Sequence, residues 1–121
     1  GVRGLNKVPI PKVIDLSLVN NYISTLLGQD GHEIYISFFK QLANSIVYEL
    51  YFPKELQSAN KQILPHLGNL KSISDEMSEE EKLAIIQSEF ERLYDPNHPV
   101  RNNLETLDSV EEVRIIKEAL K

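Results

Sequence analysis

The chain has no cysteine, which removes disulfide scaffolds, cysteine-ligated zinc and thiol catalysis together. No apolar run approaches the ~20 residues of a membrane helix, and no signal peptide opens the sequence. A cytoplasmic setting is the expectation. The five glycines are scattered as Gly1, Gly4, Gly28, Gly31 and Gly68, so no glycine-rich phosphate loop exists. Positive charge is also short: 13 Lys+Arg stand against 18 Asp+Glu, which excludes a basic nucleic-acid coat. The only methionine is Met77 and residue 1 is glycine, so a fragment or processed product of a longer protein is expected.

What is present suits one globular domain. The 121 residues are 41% hydrophobic and 26% charged, too apolar for disorder. Residues 1–52 balance four bases with four acids, and residues 53–121 supply the whole net charge of −5. Arg3, Lys7 and Lys12 precede any acid and form a short basic lead.

Beyond Val8-Pro9-Ile10-Pro11, whose two prolines imply an extended path, the pattern is helical almost throughout. Val19, Tyr22, Ile23, Leu26 and Leu27 recur at helical spacing, with Gly28 placed to stop that helix. Asp30 is suited to cap the next helix, whose stripe of Tyr35, Phe38, Phe39, Leu42, Ala43, Ile46, Val47 and Leu50 is wide enough for a central element with several neighbours. Pro53 ends it or opens the next element. Residues 54–70 read as one or two short helical pieces broken by Pro65 and Gly68. Ser78 with Glu81, and Ser109 with Glu112, are capping boxes that start two further helices. The first turns Leu83, Ile86, Phe90 and Leu93 one way, and Asp95-Pro96 and His98-Pro99 break it. The second carries Val110, Val113, Ile116 and Leu120 inward. The expected fold is all-α, a compact bundle of four to six helices after an extended lead. Residues 1–14 would be the end of a preceding domain or linker, and 15–121 one helical domain.

Local chemistry is sparse. His32, His66 and His98 lie more than thirty residues apart, each near an element end, and read as capping or turn histidines rather than a zinc set. The acids Asp75-Glu76 and Glu79-Glu80-Glu81 read as a solvated helix start favoured by the helix dipole. Glu80-x-Lys82 lacks the Pro-Asp and strand of a metal-dependent nuclease core. Tyr48, Tyr51 and Phe52 sit beside Glu49 rather than among bases, so they lack the cations of a single-strand stacking platform; a core and interhelix role is expected for them.

Two strings point further. Lys7-Val8-Pro9-Ile10-Pro11-Lys12 resembles the hydrophobic-Pro-hydrophobic-Pro segment that closes target-recognition domains in restriction-modification proteins, just before a long helix. Ile46-Val47-Tyr48-Glu49-Leu50-Tyr51-Phe52-Pro53-Lys54-Glu55-Leu56, about thirty-five residues later, resembles a segment in the C-terminal region of type IIG adenine-specific DNA methyltransferases. Asn97-His98-Pro99-Val100-Arg101 is similar to the far C-terminus of the same proteins. The family's catalytic Asn-Pro-Pro-Tyr string and its glycine-bearing S-adenosylmethionine segment are absent from this chain.

The resemblance implies the helical region that follows the recognition domain: no catalytic, cofactor-binding or metal residues here, S-adenosylmethionine held elsewhere in the parent, and the rest of that chain as partner. In the related type I specificity subunits, such helices act as rulers and dock the methylase. The family-like motif and core residues are Pro9, Pro11, Phe39, Ile46, Val47, Tyr48, Glu49, Leu50, Tyr51 and Pro53. Arg3, Lys7 and Lys12 are the candidate DNA-backbone contacts; three phosphate contacts would give weak binding with a salt slope of about −3. The alternative is an independent helical protein-protein interaction module unrelated to DNA. A stand-alone hydrolase using His98 and acids has no site geometry behind it.

Overall fold

The computed structural model describes residues 10–119, and side chains from residue 14 onward. It is helical, with no strand among the described residues: α1 (Ile10–Leu27), α2 (Glu33–Tyr51), α3 (Pro53–Ser58), α4 (Glu79–Leu93), α5 (Pro99–Glu105) and α6 (Glu111–Ala119), with 3-10 turns at Leu64–His66 and Leu107–Ser109.

The start of α1 corrects the extended path from Ile10 onward. Residues 10–14 are helical, and Pro11 is the second residue of the helix. A proline there withholds an N–H that would have no intrahelical partner in any case, and its fixed φ suits the helix. Arg3, Lys7 and Pro9 lie outside the described residues, as do the side chains of Pro11 and Lys12.

Val19, Tyr22 and Leu26 of α1 are fully buried, whereas Ile14 and Leu27 stay exposed. Gly28 does end the helix, its N–H shared between the carbonyls of Ser24 and Thr25 at 3.2 and 3.3 Å. The left-handed residue of the connection is instead Gly31, at φ 87°. Asp30 does not cap α2. His32 holds the cap position without a side-chain bond, and its carbonyl accepts from the Ile36 N–H.

α2 is the central element. It packs along α1 and also meets α3, α4 and α5. Its Phe38, Phe39, Leu42, Ala43 and Ile46 enter the main core with the α1 residues, Ile63, Leu67 and Leu70 of the segment 59–78, Ile86 and Leu93 of α4, and Val100 and Leu104 of α5. The Ser78 capping box is fully formed: its hydroxyl accepts from the Glu81 N–H, and the Glu81 carboxylate accepts from the Ser78 N–H, both at 3.1 Å.

A second, smaller core joins Tyr48 and Leu56 to Leu107, Val110 and Val113, with Ile116 against them. The Ser109 box did not form as expected. Ser109 closes the 3-10 turn, and the Val110 carbonyl accepts from the Arg114 N–H, so α6 begins one residue later. Leu120 lies outside the described residues.

Candidate functional site

The family-like segment occupies the passage between the two cores. Ile46 is fully buried in the main core, whereas Tyr48 turns into the second one. Val47 and Leu50 are half-buried, and Tyr51 projects outward at 75% exposure. The Phe52 N–H still bonds the Tyr48 carbonyl, and Pro53 then opens α3 at its first position. The aromatics therefore split between core and surface instead of forming a stacking platform.

Glu49 is the chemical centre of this passage. It is 1% exposed, and its Oε1 accepts from the Ile63 N–H at 2.8 Å and the Leu64 N–H at 3.2 Å. The two backbone amides satisfy an oxygen that is buried away from solvent. Its Oε2 and the Ser45 hydroxyl one turn earlier are buried without protein partners. The bonds fix the 3-10 turn of Leu64–His66 to α2, and the Asn103 side-chain amide donates to the Gln62 carbonyl at 2.7 Å, tying the same stretch to α5.

A second buried carboxylate secures the other end of that segment. Glu89, 2% exposed on α4, takes two bonds from Arg92, Nε at 3.2 Å and Nη2 at 2.9 Å, and a long one from the Lys71 N–H at 3.4 Å. Tyr22 of α1 donates its hydroxyl proton to the Lys71 carbonyl. Burial, then the nearby Glu89 charge, pushes the Tyr22 phenol well above its ordinary range, keeping it a donor. Gly68, at φ 67°, lies where an added Cβ would sit 3.4 Å from Arg92 Nη1. Two inward carboxylates thus hold residues 59–78 against α2 and α4, while Tyr22 and Asn103 tie the same stretch to α1 and α5.

Sequence reasoning missed Glu89, Arg92, Tyr22 and Gly68 in these roles. The signal was present: Glu89 interrupts the Ile86–Phe90–Leu93 stripe, and Glu49 stands seven residues past Leu42 on the inner face of α2. An acid on an apolar stripe marks a buried acceptor in search of donors.

A surface feature accompanies this interior. His32, Tyr35, Phe90 and Tyr94 form a run of rings, with Tyr35 and Phe90 4.6 Å apart and Phe90 stacked on Tyr94 at 4.7 Å. The Arg101 guanidinium covers Tyr94 at 4.0 Å from the ring centre and donates to the Tyr94 carbonyl. The rings line an open groove with Gly31, Glu33 and Ile34, the last 69% exposed.

The histidines do not converge into a metal set, and no group of three or more His, Asp or Glu suited to a metal ion occurs among the described residues. Glu79, Glu80 and Glu81 are exposed at the start of α4, as a solvated helix start would be. No described helix is long and apolar enough to cross a membrane. No protein-family model, curated protein or solved structure matches the chain.

Proposed function

We propose that this chain is a non-catalytic helical scaffold and interaction domain of a DNA methyltransferase or restriction-modification enzyme. It holds a DNA-recognition domain at a fixed offset from a catalytic domain. The observation that carries the reading is the position of the family-like segment, which runs through the junction of both cores and anchors residues 59–78 through Glu49. A recognition domain reads bases usefully only at a constant distance from the catalytic pocket, and a cross-braced helical body resists the bending that would change it.

In this reading S-adenosylmethionine and the methylation chemistry belong to the parent chain. Incubated with DNA and labelled methyl donor, the isolated domain transfers no label above background. The reading frame upstream should encode an Asn-Pro-Pro-Tyr methylase segment. Reproducible turnover by the isolated chain, or a frame without that segment, would overturn the proposal.

The exposed Ile34 beside the aromatic groove favours a second reading, an independent protein-binding module. That reading predicts a parent frame unrelated to DNA modification.

A further inference from the structure

α5 begins with Pro99, which has no N–H to offer, so Val100 carries the first amide needing a partner at this helix start. That partner is His98 Nδ1, at 3.1 Å. Serine, threonine, asparagine or aspartate at a cap presents an oxygen that accepts at neutral pH. An imidazole nitrogen accepts only while it carries no proton, so this cap exists only with the neutral ring.

The surroundings favour that neutral ring. Arg92 from α4 and His66 from the 3-10 turn oppose a positive charge on His98, and among the described residues Asp95 in the turn between α4 and α5 favours it. On its own helix, Arg101 is held by Glu105 and the Tyr94 carbonyl. Burial, followed by the Arg92 and His66 charges, lowers the His98 pKa below its ordinary 6.5.

The consequence of losing the cap is not confined to one bond. α5 buries Val100 and Leu104 in the main core, binds residue 62 through Asn103, and leads through Leu107 into the second core. We propose that His98 is a proton-sensitive latch, whose protonation at Nδ1 breaks the bond to Val100 and loosens the seating of α5, and with it α6, on the main body.

The linkage has a definite sign. The folded protein holds the neutral ring more tightly than the unfolded chain does, so the latch contributes fully above pH 6.5. Its contribution is lost as pH falls from there through the depressed folded value.

The test follows the Val100 amide and the His98 ring proton by NMR from pH 7.5 to 5. In the unmodified chain both resonances move together in one step with a midpoint below 6.5. His98→Asn supplies an oxygen acceptor that does not titrate, and it abolishes the Val100 step. His66→Gln removes one opposing charge, keeps the step and moves its midpoint upward. A Val100 step that persists in His98→Asn overturns the proposal. So does a ring midpoint at or above 6.5 in the unmodified chain, a measurement that stands even if the variants fail to fold.

Discussion

The two cores are built from the same helix by different means. The main core draws on four helices and the segment 59–78, with Tyr22, Phe38 and Phe39 in edge-to-face contact at 5.2–5.3 Å. The second core has five buried residues, three of them within the stretch 107–113. A side chain in the first is supported from several distant parts of the chain. One in the second is supported by two outside residues, Tyr48 and Leu56. Nine-residue α6 is too short to persist as an isolated helix, so its order derives from that small contact. The first core therefore governs global unfolding, and the second governs a local opening that precedes it.

The largest expected effect is at Phe39. Phe39→Ala opens a cavity in the main core at a cost of about 3–5 kcal/mol, a large share of the ~5–15 kcal/mol typical of such domains. Denaturant unfolding should show one transition at a much lower midpoint, with α6 and the helical body lost together. Separate transitions would break the claim that this core governs the whole.

Glu49→Ala should come next. It strands the Ile63 and Leu64 amides, each at a cost of roughly 1–3 kcal/mol. Faster amide exchange at those two residues, ahead of α1, is the signature.

Val113→Ala sharpens the contrast. Its cost, about 1–2 kcal/mol for the lost methyl groups, should appear as faster exchange across residues 110–119 with the main transition nearly in place. A drop matching that of Phe39→Ala would merge the two cores into one.

The smallest effect is a gain. Burial raises the Asp15 carboxyl pKa above 3.8, so the folded state disfavours its charge. The penalty is absent below pH 3.8 and complete above the raised value. Asp15→Asn should therefore raise the melting midpoint slightly at pH 7 and not at pH 3, while the exposed Glu80→Ala leaves it unchanged at either.

How far the sequence foretold this can be judged residue by residue. The stripe on α2 identified Phe39 and Ile46 because apolar periodicity records burial directly. The Ser78 box was legible because both of its bonds are local. Asp30 and Ser109 misled for the complementary reason: a capping residue signals its preference, but the tertiary placement of Gly31 and Val110 decides where each helix begins. Pro11 misled because proline is as acceptable in a first helical turn as in an extended strand. The carboxylate anchors were hidden because their partners are backbone amides of a stretch without periodicity, at separations of 14 and 18 residues. No side-chain pattern in that stretch announces an amide that will be bonded.

Those anchors bear on length. Most surface connections absorb an added or missing residue at little cost. Here the amides of Ile63 and Lys71 are fixed to carboxylates on two different helices, with the left-handed Gly68 between them. One residue more or fewer between those points would carry an amide past its acceptor and displace the glycine from the left-handed turn it occupies. The segment tolerates changes of side chain at its exposed positions, but its residue count is set, as the spacing of teeth is set by the gear they meet.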